Sequence, residues 1–191
     1  MTSNQMNRAD LTRRLVARLH HDEAVIAGIG NTNFDLWMAG PRPQNFYMLG
    51  SMGLAIPIAL GVAIAQPKRG VIAIEGDGSL LMQLGCLATI GKIRPTNLIA
   101  IVMDNGIYQI TGGQPTATSA TTDLVAIGKG AGIASANWAT DETTFESLLD
   151  QALTTPGPHL IAARIDAAPA TGTTERDPML IRHRFMQGIG A

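Results

Sequence analysis

The stretch that decides the fold runs Val71-Ile-Ala-Ile-Glu75-Gly76-Asp77-Gly78-Ser79 and, further on, Leu98-Ile-Ala-Ile-Val-Met103-Asp104-Asn105-Gly106. Each half is an apolar run that stops at polar residues set beside glycine, the pattern of a buried strand closed by a turn. Asp77 and Asn105 lie 28 positions apart, which leaves room for one helix, expected over Leu80 to Ile93, and a return strand. A strand, a crossover helix and a second strand pair in parallel. Both tips then open at the carboxyl edge of one sheet, where open α/β sheets bind ligands. Gly76 and Gly78 allow a tight turn and let an anion approach the backbone closely. The helix that follows aims its N-terminal amides and positive dipole end at the same point. Ser79 is expected to cap that helix or to donate its hydroxyl to a phosphate oxygen. The Asp77 carboxylate and the Asn105 amide oxygen together make a hard-oxygen site suited to Mg²⁺, which takes few protein ligands and completes its shell with phosphates. The two motifs predict a Mg²⁺–diphosphate site.

Outward from this unit, helical and extended patterns alternate. Leu11, Leu15 and Leu19 recur at helical spacing within Asp10–His21, with arginines on the other faces. Ala24–Ile29 reads as a short buried strand ending in Gly30-Asn31-Thr32-Asn33, and Phe46–Leu49 as a second strand. Gly53–Ala65 reads as a helix of small residues, Asp123–Ala131 as a helix and Ile133–Ala136 as a short strand. Thr143–Leu153 is an amphipathic helix, and His159–Ile165 a final strand before a helix near Pro178–Gln187. This alternation predicts an α/β fold, a doubly wound parallel sheet with helices on both faces, as a single domain over residues 1–191. Thr111–Thr122, rich in Gly, Thr, Ser and Ala, is a candidate mobile loop beside the metal site.

Composition narrows the function classes. A chain of 191 residues, 46% of them hydrophobic, can bury a full core. The net charge of −1 and the 4% aromatic content give neither a basic surface nor stacking residues for nucleic acid or an anionic membrane. The single cysteine, Cys86, excludes an internal disulfide and suits a cytoplasmic setting. Its place on an apolar helix reads as core. The apolar run from Met52 to Ala65 is shorter than the ~20 residues that span a bilayer, and no signal peptide is expected ahead of the first helix. His20, His21, His159 and His183 have no catalytic context.

The segment from Gly76-Asp77-Gly78-Ser79 to Asp104-Asn105 resembles the thiamine diphosphate signature, in which GDG is followed some 25 to 28 residues later by Asn-Asn or Asp-Asn. Three longer stretches, Asn45–Leu54, Gly76–Gly85 and Asp104–Gln114, resemble the diphosphate-binding half of sulfopyruvate and phosphonopyruvate decarboxylases. The likeness runs from about Ala24 to Ile165. It implies that Asp77, the Asn105 side chain and the Ile107 backbone carbonyl hold Mg²⁺. It places Asn31, Thr32, Ser51, Gly76, Gly78, Ser79 and Tyr108 among the cofactor-binding positions. Met52 matches the bulky apolar residue that bends the cofactor into a V, and Gly50 the position whose carbonyl accepts from the 4′-amino group. These two are the catalytic positions that the resemblance assigns. For Asn31 and Thr32, ordinary turn and capping chemistry is the competing reading.

The resemblance also implies a missing part. In the family a glutamate from a separate pyrimidine-binding domain hydrogen-bonds the aminopyrimidine, and none of Glu23, Glu75, Glu142, Glu146 or Glu175 lies in such a context. The expected assembly is a hetero-oligomer in which an α subunit supplies that glutamate, with this chain inactive alone. Relatives acting on sulfonates or phosphonates carry cations after the first strand where this chain has Asn31 and Phe34, which points to a less charged 2-oxo acid. Tyr108, Thr111 and Gln114 are candidates for the substrate side. The alternatives are an acetolactate synthase-like carboligase subunit and a non-catalytic Mg²⁺–diphosphate-binding scaffold.

Overall fold

The computed structural model describes residues 5–20 and 22–191. Its six strands are β1 (Ala24–Ala27), β2 (Asn45–Tyr47), β3 (Val71–Gly76), β4 (Leu98–Asp104), β5 (Ser135–Ala139) and β6 (His159–Arg164). They form one sheet in the order β2-β1-β3-β4-β6-β5, with every pairing parallel. The expected doubly wound α/β fold is the observed one. Central strands buried on both faces have to be apolar throughout, and all seven residues of β4 are buried.

Side-chain alternation divides the core in two. Ile72, Ile74, Ile99, Ile101 and Met103 face one side, packed with Leu11 and Leu15 of α1 (Arg8–Val16), Leu36 of α2 (Asn31–Met38), and Phe145 and Leu149 of α7 (Glu142–Thr154). Val71, Ala73, Leu98, Ala100 and Val102 face the other, packed with α3 (Ala55–Ala65), α4 (Asp77–Met82), α5 (Gly85–Ile93) and α6 (Leu124–Gly130). The last helix, α8 (Pro178–Ile189), gives Ile181 to the first cluster and Phe185 and Ile189 to the second. On α3 the buried Ala55, Ala59 and Ala63 recur every four residues, so one thin stripe rests on the alanine-rich face of the sheet.

Four elements differ from the sequence expectation. The run after β1 is the helix α2, not a turn. Its first residues are polar, but Gly30, with φ +83°, reverses the chain ahead of it, and the Thr32 hydroxyl and Asn33 amide bond to the Gly28 and Met48 carbonyls. The helix expected over Leu80–Ile93 is two helices, α4 and α5, interrupted at Gln83-Leu84. The segment before α3 packs against the end of α4: a Cβ on Gly53 would lie 2.8 Å from the Ser79 carbonyl oxygen and 3.0 Å from Gln83 Cγ. The fifth strand is Ser135–Ala139, beginning two residues later than Ile133, which packs into the core as an approach residue. The first helix ends at Val16; Leu19 is still buried, and His21 lies outside the described residues. Among the described residues no helix is long and apolar enough to cross a membrane.

The topology locates the ligand edge. From β1 the chain moves outward to β2, then returns past β1 to β3, so β1 and β3 are neighbours whose following helices, α2 and α4, cover opposite faces. Such a reversal opens a crevice beyond the carboxyl ends of the two strands.

Candidate cofactor and metal site

A cleft lies at that crevice, lined among others by Asn31, Thr32, Met52, Gly76, Asp77, Gly78, Ser79, Asn105, Ile107 and Tyr108. The tips of β1, β3 and β4 thus bring together most of the positions named from the sequence. Gly50 and Ser51 do not line it; they belong to the turn that presents Met52, where Ser51 takes the left-handed φ of +62°. Of the substrate-side candidates, Tyr108 lines the cleft, whereas Thr111 and Gln114 are exposed and outside it. Phe34 is also outside the lining.

Asp77 is 1% exposed. Its Oδ2 accepts from the hydroxyls of Thr116 (2.5 Å) and Thr118 (2.9 Å), while Oδ1 has no hydrogen-bond donor among the described residues. A buried carboxylate with one oxygen tethered and the other unclaimed is a suitable ligand for a divalent cation. Asn105 is held at both ends: Oδ1 accepts from the Ile107 amide (3.1 Å) and Nδ2 donates to Gln109 Oε1 (3.0 Å). Beside Gly76 a Cβ would meet nothing within 4 Å, so the backbone there borders open space. Gly78 is confined instead, since a Cβ would lie 2.5 Å from the Tyr108 ring. Among the described residues no three His, Cys, Asp or Glu side chains gather around a metal position. The candidate donors at the cleft are the Asp77 carboxylate, the Asn105 amide oxygen and the Ile107 backbone carbonyl. These residues fit a magnesium ion carrying a diphosphate.

Ser79 is not the cap. The helix begins at Asp77, with Gly76 in extended conformation as its N-cap, so Ser79 falls inside the first turn beside the Glu75 carboxyl. The Thr32 hydroxyl donates to the Gly28 carbonyl (2.8 Å) from inside the first turn of α2, whose N-cap is Gly30. Asn31 donates from Nδ2 to Gln109 Oε1 at 3.0 Å.

Residues that sequence reading missed complete the site. Gln109 joins Asn31 to Asn105, and its Nε2 donates to the Ala167 carbonyl. Arg8 lines the cleft, pairs through Nε with the buried Asp35 (2.6 Å) and donates to the Ala168 carbonyl. Burial pushes the Asp35 carboxyl above the usual range, against the pull of the Arg8 guanidinium. Thr116 and Thr118 anchor the segment expected to be a mobile loop. Apart from Gln109 to Asn105, these links span 27 to 160 positions of sequence, and a local motif carries no signal for them.

Glu75 is 1% exposed, and its Oε2 accepts from the Ala55 amide at the start of α3. Among the described residues Oε1 has no hydrogen-bond partner, and a Cβ on Gly28 would come within 2.3 Å of it. Burial pushes this carboxyl up to about 7. A carboxyl with a raised folded-state pKa binds protons more tightly when folded, so its contribution to stability falls as pH rises from 4.5 to about 7. Urea unfolding of Glu75→Gln is expected to lose that slope and to gain up to about 3 kcal/mol on wild type above pH 7. Parallel pH profiles for the two proteins would refute this. Cys86 is half-buried with its thiol pushed up to about 11, as a packing residue rather than a nucleophile.

Comparison with known proteins identifies the family. Residues 28–163 match the thiamine pyrophosphate enzyme, C-terminal TPP binding domain. The β subunit of sulfopyruvate decarboxylase from Methanocaldococcus jannaschii is 38% identical over 183 residues, 95% of this chain and 96% of that one. Phosphonopyruvate decarboxylase from Streptomyces viridochromogenes is 40% identical over 174 residues, 90% of this chain but 43% of the longer relative. The thiamine diphosphate-dependent 4-hydroxybenzoylformate decarboxylase of Rhodococcus jostii RHA1 superposes with a TM-score of 0.75 at 21% identity, over 87% of this chain and 34% of that one, a likeness of fold. The chain therefore belongs to the thiamine pyrophosphate enzymes, as their C-terminal TPP binding domain.

Proposed function

We propose that this chain is the diphosphate-binding subunit of a thiamine diphosphate-dependent 2-oxo acid decarboxylase, active in a hetero-oligomer with a pyrimidine-binding α subunit that supplies the catalytic glutamate. The observation that carries the reading is the convergence of Asp77 and Asn105, from adjacent strand tips, on one cleft at the switch point. Asp77, the Asn105 side chain and the Ile107 carbonyl hold Mg²⁺. The Gly76–Ser79 turn and Asn31 hold the diphosphate. When bound, the cofactor supplies the electron sink that lets a 2-oxo acid lose CO₂. The chain's own residues orient that cofactor and exclude water. Co-expression with the α subunit, followed by product analysis on a 2-oxo acid panel, tests the reading. Aldehyde and CO₂ formed only by the complex support it; acyloin products, or equal activity from this chain alone, overturn it.

Met52 is the residue through which the chain shapes the cofactor. Met52→Ala is expected to keep most of the cofactor affinity and to lower kcat about tenfold or more, because the diphosphate anchor is untouched. Met52→Leu, nearly equal in volume, should be far milder. Equal turnover of the alanine variant and wild type would make Met52 ordinary packing.

The cleft favours a neutral substrate tail. Among the described residues Arg8 and Asp77 are its only charged lining residues, and Arg8 is already paired with Asp35. A charge-assisted contact of about 1.5–3 kcal/mol is therefore absent, corresponding to a roughly ten- to hundred-fold preference. Competition on the complex between phosphonopyruvate or sulfopyruvate and an apolar 2-oxo acid should favour the apolar acid. Preference for an anionic one would assign the cation to the partner.

A further inference from the structure

The segment after β4 carries two buried hydroxyls that the cofactor reading leaves without a task. Thr116 and Thr118 are each 3% exposed although their neighbours Pro115, Ala117 and Ser119 are exposed. Thr118 Oγ1 lies 2.9 Å from Asp77 Oδ2, 2.8 Å from Asp104 Oδ1 and 2.8 Å from Thr116 Oγ1. Asp104 is as buried as Asp77, and burial together with the Asp77 charge raises its pKa. Behind it, Arg164 Nη1 stands 2.8 Å from Asp104 Oδ2 in an ion pair. The same Nη1 donates to the Thr118 carbonyl, and the guanidinium covers the Trp138 ring at 4.8 Å. Thr118 thus touches the Asp77–Asp104–Arg164 array by both hydroxyl and backbone.

A hydroxyl carries one proton. Thr118 can donate it to Asp77 or to Asp104, but not fully to both; Thr116 also donates to Asp77 Oδ2, and the Gly106 amide and Arg164 also meet Asp104. With Oδ2 tethered by the two threonine hydroxyls, the Asp77 carboxylate is held with Oδ1 free for a cation, whose charge would offset the repulsion between the two carboxylates. Resting on the assignment of Asp77 to Mg²⁺, we propose that Thr118 is a positioning residue of the metal centre, which fixes the Asp77 carboxylate through Oδ2 and ties residues 111–122 to occupation of the site. Thr116, donating to the same oxygen, is its auxiliary. The segment then responds to the metal although it supplies no metal ligand.

The test is calorimetry of thiamine diphosphate binding to the two-subunit complex across a Mg²⁺ series, with hydrogen exchange of residues 111–122 measured with and without Mg²⁺–cofactor. Thr118→Val is expected to weaken Mg²⁺-dependent cofactor binding roughly ten- to hundred-fold and to abolish the ligand-induced protection of the segment. Thr118→Ser, which keeps the hydroxyl, should stay within about threefold of wild type and retain the protection. Should Thr118→Val fail to fold, Thr118→Ala reads the same quantities without the second γ-methyl. Wild-type affinity without the hydroxyl, or a serine variant as weak as valine, overturns the positioning role alone. Absence of Mg²⁺-dependent binding in wild type overturns the metal assignment and this role with it.

Discussion

Asp77→Ala is expected to abolish Mg²⁺-dependent binding of thiamine diphosphate while the fold persists. The carboxylate is the single negative charge that this chain contributes to the proposed metal centre. Its removal should exceed the roughly 10- to 100-fold cost typical of outer-shell partners. The structural cost is smaller. Asp77 sits at the end of β3 where α4 begins, and its side chain touches Thr116 and Thr118 rather than the apolar clusters. Two buried hydroxyls lose an acceptor, at roughly 1–3 kcal/mol, partly offset because Asp104 loses a like-charged neighbour. Calorimetry of the complex and a thermal melt separate the two effects. Wild-type affinity in the alanine variant would refute the metal assignment.

The second large effect concerns stability far from the cleft. A Cβ on Gly91 in α5 would lie 1.8 Å from the Ala131 carbonyl oxygen, a backbone atom just past α6. No rotamer relieves that overlap, so the two helices would have to separate. Gly91→Ala should cost about 3 kcal/mol, at the upper end of overpacking, and lower Tm by roughly 6–12 °C for a chain of this size. Gly85→Ala, in the same helix but with nothing within 4 Å of its Cβ, should be neutral or slightly stabilising through helix propensity. Equal melting of the two variants would refute the close packing of α5 on the Ala131 turn.

The sheet was legible because its central strands are buried on both faces and so are written as unbroken apolar runs; β3 and β4 fall within a residue of where those runs end. The site was legible to the extent that it is local. Gly76-Asp77-Gly78 and Asp104-Asn105 are strand tips whose residue types state their chemistry. Helix α2 was hidden because Asn31, Thr32 and Asn33 favour turns, and their side chains are satisfied by Gln109, Gly28 and Met48, partners that sequence alone cannot supply. The interruption between α4 and α5 lies where the Gly53 turn packs closely on Ser79 and Gln83, a tertiary contact that the local sequence does not announce. Arg8, which precedes the helical pattern read over Asp10–His21, is 3% exposed, met by Asp35 and the Ala168 carbonyl. Residues acting through distant partners leave no periodicity to read.

Gln109 has a thermodynamic consequence for ligand capture. By holding Asn31, Asn105 and the Ala167 backbone with one side chain, it fastens the tips of β1 and β4 and the chain beyond β6 before any ligand arrives. The loss of freedom of these three segments is then borne by folding rather than by association. Cofactor capture by this half of the site should accordingly carry a small ordering penalty, leaving most of the binding entropy to be set by released water and by the loop at 111–122.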